Sequence, residues 1–173
     1  ITLPEELRKD LNARKDALNG ADVAFLCLPD AAANEAVSLI ESNHVAVIDT
    51  STAHRVSPDW DYGFPELSSE HRAAIIHSKR VANPGCHASG FIAGVYPLVR
   101  HGVISADFPL TAYSLTGYSG GGRKMIAEYE AADRAASLDA PNIYGLSLKH
   151  KHLPEMQKGA GLKVPPVFSP ILG

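Results

Sequence analysis

Hydrophobic residues in this chain first occur as short unbroken runs. Ala21-Asp22-Val23-Ala24-Phe25-Leu26-Cys27-Leu28 is almost wholly apolar and stops at Pro29, the pattern of a strand buried on both faces within a parallel sheet. Asp30 is placed to cap the next stretch, AAANEAVSLIES, where Ala33, Val37 and Ile40 fall at helical spacing and Glu35 sits near the positive end of the dipole. His44-Val45-Ala46-Val47-Ile48-Asp49 is a second short apolar run. Strand, helix and strand within about 30 residues make a βαβ unit. Sheets built this way bind ligands at the carboxyl ends of their strands, here Pro29-Asp30 and Asp49-Thr50-Ser51-Thr52.

Ahead of this unit, ITLPEELRKDLNARKDALNG is polar with a weak helical period and has no initial methionine, as at a cut edge. Beyond it, His54 to Ser68 is a loop rich in Pro, Trp, Tyr and Gly, followed by a short helix through Glu70 to Ile75 and a strand at Lys79-Arg80-Val81-Ala82. After Cys86 the stretch FIAGVYPLVRHG is helical until Gly102 ends it, and Pro97 is expected to kink or shorten it. Leu110 to Thr116 alternates as a strand and enters the glycine-rich stretch GYSGGGR, with a helix predicted over Lys124 to Ala136. The tail from Asn142 is loop and strand, with Pro154 placed to open a short helix.

Composition narrows the classes. A chain of 173 residues is one domain or two small ones. A net charge of −3, with dispersed basic residues, gives no support to nucleic-acid binding. No apolar run is long enough to span a bilayer and the start does not resemble a secretory signal. Two cysteines make no disulfide framework, so a reducing, cytoplasmic setting is expected.

Cys86 follows Asn83-Pro84-Gly85 and precedes a helix. Unpaired N–H groups and the helix dipole favour a thiolate at such a place, and the glycine lets another group approach the sulfur. The alternative is a small buried apolar residue. Cys27, inside an apolar strand, is expected to be inert. A thiolate nucleophile needs a proton carrier, and KHKHLPEMQ offers His150, His152 and Glu155. The two imidazoles share a face if the segment is extended, and Glu155 can orient His152 across the turn that Pro154 opens. A solvated strand end is the alternative; metal binding lacks a third nearby ligand and the usual spacing. GYSGGGRKM is a strand–glycine–helix junction whose N–H groups and Arg123 can cradle an anion, although Met125 stands where a P-loop has Ser or Thr. In DTSTAHR, residues 49–55, the hydroxyls after the strand end either touch a cofactor or cap the loop, and the residues alone favour the structural reading.

Together ADVAFLCLPDAAANEAV, VIDTSTAHRV, YGFPEL, VANPGC, GYSGGGRKMIAEYE and KHKHLPEMQK resemble N-acetyl-γ-glutamyl-phosphate reductase, especially its shorter form, across most of the chain. The resemblance implies a Rossmann-like parallel α/β nucleotide-binding part over residues 1–85. A mixed α+β catalytic part over 86–173 would follow, in an arrangement like that of glyceraldehyde-phosphate dehydrogenase. It implies that Cys86 attacks an acyl phosphate, that phosphate leaves, and that NADPH reduces the resulting thioester to the semialdehyde of arginine biosynthesis. In that scheme His152 is the acid–base residue, helped by Glu155, with His150 the alternative or a substrate contact. Arg123 and Arg55 would hold substrate anions. Leu28, Pro29, Ser51, Asn83, Ser119 and Gly120 would border the NADP nicotinamide, no metal is needed, and a homo-oligomer is expected.

Two departures are visible. His87-Ala88-Ser89 follows the cysteine where the family has Tyr-Pro-Thr. His87 would raise the thiolate fraction if protonated, or would change the first helical turn. The family's first strand and Gly-rich loop, and its final portion, are not found in the sequence. It therefore reads as a piece of a longer chain or as one that has lost part of its cofactor site, weak alone and active when complete. Rival readings are an aspartate-semialdehyde dehydrogenase type of reductase, a cofactor-independent Cys-His hydrolase, and a non-catalytic remnant acting through assembly.

Overall fold

The computed structural model describes residues 2–173. The chain divides into two compact units, Ile1–Pro97 and Leu98–Gly173.

In the first unit a single 3-10 turn at Glu5–Leu7 leads into helix α1, Leu11–Asn19, capped by the Asp10 carboxylate, which accepts from the Ala13 amide at 2.7 Å. Strand β1, Val23–Leu26, helix α2, Asp30–Ser38, and strand β2, Ala46–Asp49, form the expected βαβ unit. Strand β3, Asp61–Tyr62, is a two-residue strand inside the loop read from sequence. Helix α3, Ser69–His77, is capped by Ser68 and precedes strand β4, Arg80–Ala82. All pairings are parallel, in the order β1-β2-β4-β3. Ala24, Leu26, Ala36, Val45 and Val47 make the buried core, with Leu18, Val37, Ile40 and Trp60 packed on it. Removing such side chains from water supplies about 25 cal/mol per Å².

Three expectations change here. β1 is buried on one face only: Ala24 and Leu26 point inward while Val23 and Phe25 are exposed, because the described residues set α1 and α2 against the inner face alone. Asp30 does not cap α2. Pro29 holds the N-cap position and accepts from the Ala33 amide at 2.9 Å, while the Asp30 carboxylate accepts from the Thr52 amide at 2.9 Å and from its hydroxyl. Helix α4, Cys86–Arg100, passes through Pro97 without ending. The carbonyl that Pro97 leaves unbonded belongs to Ala93, an exposed residue where water can take its place. Gly102, at φ 69°, stops the chain after α4, its amide donating to Val99.

In the second unit strand β5, Thr111–Thr116, runs into a 3-10 turn at Tyr118–Gly121 and helix α5, Gly122–Glu130. This helix starts two residues earlier and stops six residues sooner than the predicted Lys124–Ala136 span. Tyr118 fixes its end by stacking on Tyr129 and donating to Glu130 at 3.1 Å, and Ala131 turns extended. Strand β6, Asn142–Ile143, helix α6, Leu153–Ala160, and strand β7, Val167–Leu172, complete the unit. β7 is central, parallel to β5 over six residues and antiparallel to β6. Phe168, Pro170 and Leu172 face inward with Leu153, Met156 and Ala160 of α6 buried, whereas Tyr113, Leu115 and Val167 are exposed. A Rossmann-like parallel sheet and a mixed sheet are thus both present, as the sequence pattern implied. Among the described residues no helix is long and apolar enough to cross a membrane.

Candidate active site

The sheet register explains why the candidate residues of the first unit gather. Leu26 pairs with Asp49 and Asp49 with Ala82, so three parallel strands end level with one another. The segments leaving that edge are Cys27-Leu28-Pro29, Thr50-Ser51-Thr52 and Asn83-Pro84-Gly85-Cys86. They are tied across it: the Thr50 amide and hydroxyl donate to the Leu26 carbonyl at 3.0 and 3.1 Å, and the Asn83 amide donates to the Asp49 carbonyl at 2.7 Å. Leu28, Pro29, Ser51 and Asn83 therefore lie together, where ligands bind in open α/β sheets.

Cys86 is the first residue of α4 and is exposed, and the next turn is secured by the Ser89 amide and hydroxyl donating to the Gly85 carbonyl at 2.8 and 2.9 Å. The buried-residue alternative for Cys86 is thereby removed. Cys27 was expected inside the strand; β1 ends one residue earlier, and Cys27 is exposed at the same sheet edge. His87 is partly buried, and loss of hydration pushes its imidazole below the usual histidine range. A protonated His87 beside the thiol is therefore disfavoured near neutrality.

The stretch 49–55 holds more than the sequence suggested. Asp49 is fully buried at the end of β2. Its Oδ1 accepts from the Ser51 amide at 3.0 Å, and its Oδ2 accepts from the Ser51 hydroxyl and from His54 Nδ1, both at 2.6 Å. Because a buried carboxylate accepts, this contact places the proton of His54 on Nδ1. The His54 ring stacks on Trp60 at 4.0 Å with planes 16° apart. The following residue, Arg55, donates from Nε to the Asn83 carbonyl at 3.0 Å and from a terminal nitrogen to the Thr50 carbonyl at 2.8 Å. An apolar run ending in Asp-x-Ser was the available signal, since Asp and Ser satisfy nearby backbone donors after a strand. His54 as their partner was not legible.

In the second unit, His150 and His152 meet across a turn, not along an extended strand. Leu148 takes a positive φ of 55° and donates to the Gly145 carbonyl at 3.0 Å, folding the segment back before the histidines. A leucine there stores roughly 1 kcal/mol of strain. The rings of His150 and His152 lie 4.8 Å apart, edge to face, and His150 also packs on Phe168 at 5.1 Å. The His152 amide donates to His150 Nδ1 at 3.2 Å, which leaves Nε2 to carry that ring's N–H. His152 is the N-cap of α6 and only 4% exposed; Glu155, three residues on, is 2% exposed. Ser119 and Gly120 lie on the 3-10 turn after β5, and Arg123 is the second residue of α5, exposed. A side chain at Gly121 would strike Met125 at 2.4 Å, and Gly122 has φ 75°, so this junction requires glycine at both places. Among the described residues no three His, Cys, Asp or Glu side chains are grouped to hold a metal ion.

Two family models match the chain. Residues 4–75 match the semialdehyde dehydrogenase NAD binding domain and residues 86–173 the semialdehyde dehydrogenase dimerisation domain. The chain belongs to the semialdehyde dehydrogenase family. It is 49% identical over 173 residues to the N-acetyl-gamma-glutamyl-phosphate reductase of Burkholderia orbicola (strain MC0-3), covering 100% of this chain and 55% of that protein. It is 52% identical over 175 residues to the reductase of the same name from Chelativorans sp. (strain BNC1), with the same coverage. The chain spans about half the length of the curated relatives it matches. Aspartate semialdehyde dehydrogenase II from Vibrio cholerae superposes with a TM-score of 0.65 over 90% of this chain and 52% of that one, at 17% identity. At that identity the likeness concerns the fold.

Proposed function

We propose that the complete protein reduces N-acetylglutamyl 5-phosphate to N-acetylglutamate 5-semialdehyde and phosphate, a step of arginine biosynthesis. The observation that carries this reading is the exposed Cys86 thiol, set as the first residue of α4 at the shared carboxyl edge of three parallel strands. Relatives of that name, about half identical over the whole chain, support the choice of substrate.

In this reading the Cys86 thiolate adds to the acyl carbon, a C–S bond forms, and the C–O bond to phosphate breaks with phosphate carrying off the electron pair. NADP, when bound in its reduced form, supplies a hydride equivalent. Leu28, Pro29, Ser51 and Asn83 would border its nicotinamide, since the parallel edge leaves these four short or compact groups at strand ends. Ser119 and Gly120 are assigned to the same group. His152, with Glu155 behind it, holds and returns the proton at the substrate oxygen as the C–S bond breaks and thiolate is restored. His150 acts as the substrate-side neighbour of His152, and Arg123 at the start of α5 takes a substrate anion. Cytoplasmic action and assembly of like copies belong to the same proposal, the latter supported by the exposed Tyr113, Leu115 and Val167 on the second sheet.

The test is iodoacetamide labelling of the complete protein across pH, with each cysteine followed by peptide mass spectrometry. Preferential modification of Cys86 below pH 8, with protection by the acyl phosphate, is expected. Equal and slow labelling of Cys27 and Cys86 rejects the reading. Activity on N-acetylglutamyl phosphate well above that on aspartyl phosphate is expected as well. Ester cleavage independent of NADPH would favour the hydrolase instead.

A further inference from the structure

The residues that leave β2 commit every proton they carry within the chain. We infer that residues 50–53 form an acceptor-only rim of the cofactor edge, which takes the amide end of the nicotinamide by its N–H and refuses a carboxylate in that place. The inference rests on the proposed cofactor chemistry.

The donors can be followed one by one. Thr50 gives its amide and its hydroxyl to the Leu26 carbonyl, at 3.0 and 3.1 Å. Ser51 gives its amide to Asp49 Oδ1 at 3.0 Å and its hydroxyl to Oδ2 at 2.6 Å. Thr52 repeats this with Asp30, the amide donating to Oδ1 at 2.9 Å and the hydroxyl to Oδ2. The Ala53 amide donates to the Ser51 hydroxyl oxygen at 3.2 Å. Each residue of the stretch has one backbone N–H, and only the first three have a hydroxyl, so no donor is left over.

The direction of each hydroxyl proton is forced. A hydroxyl holds one hydrogen, and a carbonyl or carboxylate oxygen only accepts. The protons of Thr50, Ser51 and Thr52 therefore point to Leu26, Asp49 and Asp30, and what the three oxygens still offer is lone pairs. Two carboxylates from different elements impose this by one device, each gripping an amide with one oxygen and the neighbouring hydroxyl with the other. Asp49 ends β2, and Asp30 opens α2. Loops and helix starts commonly meet a ligand with free N–H groups, which suit anions; residues 50–53 have none to give. Of the substituents on a nicotinamide ring, the carboxamide NH2 is the hydrogen-bond donor, and it matches. A nicotinic acid ring would set its negative charge against lone pairs, and an acetylpyridine ring keeps the carbonyl but has no donor.

Calorimetric titration of the complete protein with NADP, its nicotinic acid analogue and its acetylpyridine analogue tests the rim. Wild type should bind the acid analogue about a hundredfold more weakly than NADP, and the acetylpyridine analogue about tenfold more weakly. Asp30→Asn and Asp49→Asn should turn a hydroxyl round. In each, the one amide oxygen is required by the backbone N–H of Thr52 or Ser51, so the new NH2 faces the hydroxyl oxygen and the hydroxyl proton swings outward. Discrimination against the acid analogue should then shrink to about tenfold. Asp30 is exposed, so its variant carries the comparison if Asp49→Asn fails to fold. Adding Thr52→Val to Asp30→Asn should restore the hundredfold discrimination, because the gain comes from the hydroxyl proton and not from the lost charge. If the double variant keeps the gain, charge alone selects and the rim is overturned. Equal affinity of wild type for NADP and its acid analogue also overturns it, as does a discrimination that neither Asn variant alters; in both cases the cofactor assignment stands. Failure of the complete protein to bind NADP at all sinks the proposed cofactor chemistry and takes the rim with it.

Discussion

Cys27 and Cys86 stand at the same edge of one sheet, each just past the end of a parallel strand, and both are exposed. The backbone beyond each sulfur separates them. After Cys86 the helix starts at the thiol itself, which sets the sulfur at the positive end of the helix dipole. After Cys27 come Leu28 and Pro29 before α2 begins at Asp30, and Asp30 turns its carboxylate to Thr52. Exposure alone therefore does not separate the two thiols; their register against the helix that follows does.

The sharpest way to break this comparison is paired substitution in the complete protein. Cys86→Ser should lower reductase turnover about a thousandfold or more, because serine is neither as nucleophilic nor as good a leaving group. Cys27→Ser should stay within about threefold of wild type, since no step uses that sulfur. Steady-state assays with the acyl phosphate decide it. Comparable losses in both variants would mean that the helix start is not what distinguishes them.

His152 and His150 are the next pair to separate. His152→Ala should cost about 10²- to 10³-fold in kcat, the usual worth of a positioned proton carrier. In contrast, His150→Ala removes a ring that accepts from the His152 amide, and it should cost about tenfold or less. The pH dependence of kcat should lose a limb only in the first. The reverse ranking would reassign the acid–base role.

Much of this was legible in the chain because it depends on local pattern. Short apolar runs ending at Pro29 and Asp49 gave the parallel strands and their ligand-binding edge, and Asn-Pro-Gly before an apolar helix placed Cys86. The features that escaped reading depend on chain geometry away from each residue. Asp30 looked like a helix cap until Thr52, across the edge, proved to be its partner. The histidines looked collinear because no pattern announces a leucine at positive φ. The charge of Arg55 is visible in the sequence, while the two carbonyls to which it donates lie after separate strands and are not.

Asp49 lies on the strand between the two that lead to the cysteines, so it tests whether the edge itself is what keeps them distinct. Asp49→Ala removes the acceptor for His54 and Ser51 and should destabilise the first unit by about 3 kcal/mol, as for breaking other buried pairs. Urea denaturation measures it. A loss under about 1 kcal/mol would show that the buried carboxylate is dispensable to the edge.

The smallest effect concerns the residue next to each thiol: His87 after Cys86, Leu28 after Cys27. Burial holds the His87 imidazole below its ordinary value, so the folded protein binds fewer protons there than the unfolded chain does just below pH 6.5. Stability therefore rises with pH through that window. The contribution of a neutral His87 is fully present above pH 6.5 and is lost as pH falls through the lower, folded value. His87→Gln, which cannot titrate, should flatten the dependence, so that wild type loses more stability than the variant between pH 7.5 and 5. The Cys86 labelling rate at pH 7 should differ little between them, because a neutral ring lends the thiol no charge. Parallel stability curves would remove the burial argument. A variant that labels about tenfold more slowly would restore His87 as a cation beside the sulfur, and the contrast between the two cysteines would then rest on a neighbouring side chain more than on the helix start.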